Sequence, residues 1–221
     1  MTEPAQTVPD ELTGCWQRNR IEFADGTGDD TSFVIWLQLP SLMADVRLSA
    51  AALALAGRSS FSLDELRVLA ESDSSSGATT CTPVVQGTAT ASWSSVVGFQ
   101  PTTAFPEPGL LEWSSDGTVM MERAPSGAYV EEWHLLDGSR GPLSHSLLAD
   151  GSVWFRAGSV GVLMRDRPAP PPSVARLTEL TDRASLEAAI DCEFSFCRLV
   201  DHGWTIEHST CPARVGAFVQ V

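Results

Sequence analysis

Three Asp-Gly pairs, Asp116-Gly117, Asp137-Gly138 and Asp150-Gly151, cut the middle of the chain into extended runs too short for anything but hairpins. Asp-Gly suits tight hairpin turns because these residues tolerate the left-handed backbone such turns require. Residues 82–93, 110–113, 118–123, 129–136, 152–157 and 159–167 therefore read as strands. Upstream, 14–23 and 32–39 form a further pair around Ala24-Asp25-Gly26-Thr27-Gly28-Asp29-Asp30, followed by a strand at 44–48. The expected fold class is all-β and antiparallel.

One helix interrupts this pattern. Ser62 can cap it, Glu65 stands three residues on, and Leu63, Leu66 and Leu69 recur on one side, which predicts a helix over 62–70. Residues 72–78 are Ser/Gly-rich and read as a loop. Pro168-Ala169-Pro170-Pro171-Pro172 cannot donate ladder hydrogen bonds and reads as a connector. Beyond it come a helical turn or short strand at 185–190, a hairpin of 193–200 with 204–209, and a closing strand within 215–221. The organisation expected is a polar tail at 1–13, a barrel at 14–167, a Pro-rich connector at 168–184, and a C-terminal β extension at 185–221 packed on the same domain.

With 221 residues and 43% hydrophobic content, the chain can bury one substantial core. Its 14 basic and 28 acidic side chains give a net charge of -14, and every basic one is arginine. An acidic surface repels phosphate backbones and anionic headgroups, so neither nucleic acid nor membrane is an expected partner. The absence of lysine removes Schiff-base, pyridoxal-phosphate and P-loop chemistry. Four scattered histidines and five cysteines without a C-x-x-C pair suggest no metal centre and reduced thiols. The opening residues lack signal-peptide character and no run is long enough to span a membrane, so a cytoplasmic location is expected.

Gly14-Cys15-Trp16, opening the first strand, resembles the Gly-x-Trp signature of lipocalins and related calycin barrels. The resemblance implies a closed antiparallel barrel around a small-molecule pocket, with Trp16 plugging one end. It also implies an arginine from a late strand, Arg165 or Arg167, stacked over that indole.

Strand alternation places Trp16, Arg18, Arg20 and Glu22 on one face of the first strand. Val34, Trp36 and Gln38 share a face of the second, and Asp45 and Arg47 share one of the third. Arginines inside a barrel need partners, which Asp45, Glu131, Glu132, Glu193 or a ligand carboxylate or enolate could supply. The alternative is a set of exposed strand faces or structural ion pairs. In Tyr129-Val130-Glu131-Glu132-Trp133-His134, Tyr129, Glu131 and Trp133 face one way and Glu132 and His134 the other. Glu131, His134 and His208 are the candidate acid/base groups, and His208 is also a candidate heme ligand. Trp16, Arg18, Arg20, Trp36, Arg47, Trp133 and Arg165 are the candidate ligand contacts.

The resulting expectation is a small-molecule pocket protein, needing no cofactor. The favoured activity is an isomerase, lyase or cyclase that moves a proton on a hydrophobic oxygenated metabolite and stabilises an oxyanion. A non-catalytic carrier or sensor of a small apolar acid is the second reading, an interaction module the third, and a homodimer is left open.

Overall fold

The computed structural model describes residues 7–102, 107–170 and 172–221. Its first sheet contains β1 (Gly14–Phe23), a two-residue arm β2 (Gly28–Asp29), β3 (Phe33–Gln38), β4 (Leu42–Leu48), β5 (Ser75–Cys81), β6 (Thr88–Gly98), β7 (Gly109–Trp113), β8 (Val119–Arg123) and β9 (Tyr129–Leu135). Neighbouring strands run antiparallel, and β9 returns to pair with β1 from Trp16↔Leu135 to Phe23↔Tyr129. With β2 as a side arm, this makes a closed eight-stranded antiparallel barrel. Between β4 and β5 the chain forms α1 (Ala50–Leu53) and α2 (Leu63–Ala70), and α2 carries the expected Ser62/Glu65 capping box.

The barrel is complete earlier than expected. Because β9 occupies the free edge of β1, no later strand can join, and the runs predicted at 152–157 and 159–167 lie in a second sheet instead. That sheet is six-stranded, in the order β10 (Leu143–Leu147), β11 (Val153–Ala157), β12 (Val160–Arg165), β13 (Glu193–Val200), β14 (Gly203–Ser209) and β15 (Phe218–Val219). The segment joining β12 to β13 contains the proline run, of which Pro171 lies outside the described residues, and ends in α3 (Arg183–Ala189). The predicted closing strand shrinks to Phe218–Val219.

Residues 72–78, expected as a loop, supply most of β5. Small side chains are required there because β6 passes very close: a Cβ on Gly77 would lie 1.8 Å from the Ser94 carbonyl oxygen. The predicted tail is also more ordered than its composition suggests. Thr7 donates to Pro40 O at 2.8 Å and accepts from Cys81 N at 2.8 Å, and the 3-10 turn Asp10–Leu12 buries Leu12 under the barrel; residues 1–6 lie outside the described residues.

Alternation along β3 and β4 serves two cores at once. Ile35, Leu37, Ala44, Val46 and Leu48 point outward and pack with Phe155, Val160, Val162, Met164, Phe194 and Phe196 of the second sheet. Their neighbours Val34, Trp36 and Met43 point inward and join Trp16, Leu111, Met120 and Trp133. No helix among the described residues is long and apolar enough to cross a membrane.

Candidate functional site

The base of the barrel is plugged. Trp16 is fully buried among Val8, Leu12, Met43 and Met120, and its indole N–H donates to Leu12 O at 2.8 Å. The expected arginine stack over it is absent. Arg165 pairs with Asp191 at 2.6 Å on the second sheet, and Arg167 is spent on the carbonyls of Gly98, Phe99 and Ala189. Arg165 ends β12 and Arg167 follows it, and β12 lies outside the barrel, so neither reaches the Trp16 ring; Arg165 therefore drops out as a ligand contact.

Above this apolar floor the interior becomes charged. Arg18 donates to Glu131 at 3.0 Å and to Asp29 at 2.7 Å, closing a nearly buried ion triad between β1, β9 and β2. Arg47 donates through Nε to Asp45 at 2.6 Å, and Asp45 also accepts from the Ser75 N–H and hydroxyl. Asp45 and Glu131 are among the partners that the sequence pattern named, and Asp29 is not. Hydrogen bonds from Thr31 and Ser32 outweigh burial and bring Asp29 down to about 2, whereas burial pushes Asp45 upward against the pull of Arg47 and Ser75.

Glu122 is the group that sequence reasoning missed. It lies directly across from Glu131 in the β8/β9 ladder, and both carboxylates are 4% exposed. Burial, then the Glu131 charge, push Glu122 up to about 8, although the Tyr129 hydroxyl and Arg47 act the other way. Tyr129 donates to Glu122 at 3.0 Å and is itself raised by burial and by that carboxylate. A signal existed: Glu122 shares its strand face with Met120, one of the buried interior residues.

Trp36, Trp93 and Trp133 line the same interior, with Trp36 edge-on to Trp93 at 5.6 Å and to Trp133 at 5.9 Å between ring centroids. Gly109 makes the space in which Trp93 and Glu122 meet, since a Cβ there would lie 2.7 Å from the Trp93 ring and 2.9 Å from a Glu122 carboxyl oxygen. Arg47 stands on β4 and Glu122 on β8, half the circumference apart in the strand order. Arg47 raises no ion pair with Glu122 or Glu131, yet it feels both charges, and its side chain keeps 37% exposure although it points inward.

The other predicted residues lie elsewhere. A β-bulge between Arg18 and Arg20 inserts one residue into β1 and reverses the alternation, so that Arg20 pairs with Glu132 on the outer face and is 55% exposed. His134 joins the same outer cluster, 2.8 Å from Glu132, beside an external groove of about 430 Å³ lined by Gln17, Asn19, Thr31 and Phe33. Its hydrogen bond is the leading reason that Glu132 is lowered. His208 is wedged against Phe33 at 4.0 Å between barrel and second sheet, where burial lowers it. Glu131, Arg18, Trp36, Arg47 and Trp133 thus converge in the barrel; His134, His208, Arg20 and Arg165 do not.

Among the described residues no group of His, Cys, Asp and Glu side chains is arranged to hold a metal ion. No family model matches the chain, and neither a curated protein nor a solved structure matches it.

Proposed function

We propose that the barrel interior binds a small hydrophobic molecule and moves a proton on it, in the manner of a cofactor-independent isomerase, lyase or cyclase. The observation that carries this reading is the facing pair Glu122 and Glu131. Their surroundings differ: Glu131 is ion-paired with Arg18, while Glu122 has no cation in contact and accepts from the Tyr129 hydroxyl beside the neighbouring like charge. Two facing carboxyl groups in unlike surroundings, one of them raised toward neutrality, are the usual equipment for acid/base work near neutrality.

Glu122 is the proton donor or acceptor of this proposal, in place of Glu131, His134 and His208. The tryptophan rings hold the apolar body, and the free Nη groups of Arg47 stabilise charge developing on an oxygen of the substrate. The plugged base at Gly14-Cys15-Trp16 and the closed antiparallel barrel support a lipocalin-like architecture for such a pocket. The same walls suit a carrier, so binding alone does not decide between the two.

Native mass spectrometry of the chain after exposure to a metabolite extract identifies the bound molecule. Incubating that molecule with the protein in heavy water then separates the readings. Deuterium entering a carbon-bound position with wild type, but not with Glu122→Gln that still binds, is the expected result. Binding without exchange in the wild type leaves the carrier.

A further inference from the structure

The charges inside the barrel do not balance. Arg18 and Arg47 face Asp29, Asp45, Glu131 and Glu122, so two cations meet four carboxyl groups among the described residues. Each guanidinium is already in contact with a carboxylate, Arg18 with two of them. Glu122 is the carboxyl group left without a cation in contact. Its one conventional hydrogen bond comes from Tyr129, and the indole N–H of Trp133, a residue 1% exposed, faces the same carboxyl without closing a bond.

Resting on the binding half of the reading above, and giving Glu122 a binding role in place of proton transfer whenever an amine is held, we propose that the molecule in the barrel carries a protonated amine on an aromatic or similar apolar body, and that its ammonium group sits against Glu122 as the missing counter-ion. Three features favour a cation there over an anion. An ammonium would let Glu122 ionise beside Glu131 without adding repulsion, whereas a carboxylate would bring one more negative group into the same space. Once Glu122 is ionised, the idle Trp133 N–H gains an anionic acceptor. The chain's net charge of -14 draws cations toward it at long range.

Protons balance in a simple way. At neutral pH the resting Glu122 carries a proton, and an ammonium ion replaces it, so binding releases that proton to solvent. The ammonium keeps its own. Affinity for the amine therefore rises as pH rises toward about 8, where Glu122 ionises by itself.

The test uses the full chain loaded with the neutral reporter N-phenyl-1-naphthylamine, which is then displaced by phenethylamine, 2-phenylethanol or phenylacetate. Phenethylamine is expected to displace it at concentrations about tenfold below the other two. Calorimetry in buffers of differing ionisation enthalpy is expected to show release of about one proton per amine bound near pH 7. Glu122→Gln should bind the reporter as before and lose the preference for the amine. Should that variant fail to fold, the wild-type pH profile serves: amine affinity climbs between about pH 6 and pH 8 while alcohol affinity stays flat. Phenylacetate binding as well as or better than the amine, or a preference that survives Glu122→Gln, overturns the inference. A reporter that binds but is not displaced by the amine overturns it alone; a reporter that never binds removes the pocket reading as well.

Discussion

The two faces of β3 and β4 make different cores out of adjacent residues. Outward, Ile35, Leu37 and Val46 meet Phe155, Phe194 and Phe196 in an apolar seam. Inward, Trp36, Asp45 and Arg47 belong to an interior where tryptophans share space with ionisable groups. The first face gains stability from every apolar surface it removes from water, about 25 cal/mol per Å². The second places buried charges side by side, and Glu122 opposite Glu131 costs stability whenever both are ionised. The outer seam holds the fold together, and the interior is arranged for chemistry.

The largest expected effect breaks the seam. Phe194→Ala removes a fully buried ring between barrel and second sheet and is expected to cost about 3–5 kcal/mol, equally at all pH values, in denaturant unfolding. A substitution inside the barrel should behave differently. Glu122 is raised relative to an unfolded carboxyl, so its folded form holds the proton more tightly. The resulting penalty is absent below the unfolded pKa, grows as pH rises toward about 8, and is fully present above it. Glu122→Gln should therefore leave stability near about pH 4 unchanged and raise it by on the order of 2–4 kcal/mol near pH 9.

Much of this contrast was legible from alternation alone. In the strand expected at 129–136, Tyr129, Glu131 and Trp133 were placed together on one face, and they do share a face, the inner one, because a strand without irregularities keeps its period of two. Asp45 and Glu131 stood among the candidate partners because a buried guanidinium needs a carboxylate; that Arg47 takes the first and Arg18 the second emerges only from the structure. Arg20 was misread because a bulge carries no marker in Arg18-Asn19-Arg20 and inverts every side chain beyond it. The second sheet was hidden for a topological reason. β11 and β12 look like any other hairpin, and only the pairing of β9 with β1 excludes them from the barrel. His208 shares a strand with Ile206, and a period of two does not say which of two packed sheets a strand belongs to.

Smaller effects sharpen the comparison. Glu131→Gln leaves Arg18 with Asp29 as its remaining partner and is expected to cost about 2 kcal/mol near pH 6, less than a fully stranded charge would. The same change removes the like charge beside Glu122, so its cost should shrink as pH rises, and chemical denaturation at two pH values reads this directly. His134→Ala lies on the outer face, 49% exposed at its side chain, and is expected to move stability by no more than about 0.5 kcal/mol and to leave reporter binding unchanged.

The most direct measurement is a carboxyl-carbon NMR titration of glutamate-labelled protein, without any ligand. A single glutamate resonance titrating near pH 8, and missing from the Glu122→Gln spectrum, is what a buried, counter-ion-free Glu122 opposite Glu131 requires. Glutamate resonances that all titrate in the ordinary acidic range would contradict it, and with it the assignment of the barrel interior as a site of proton transfer.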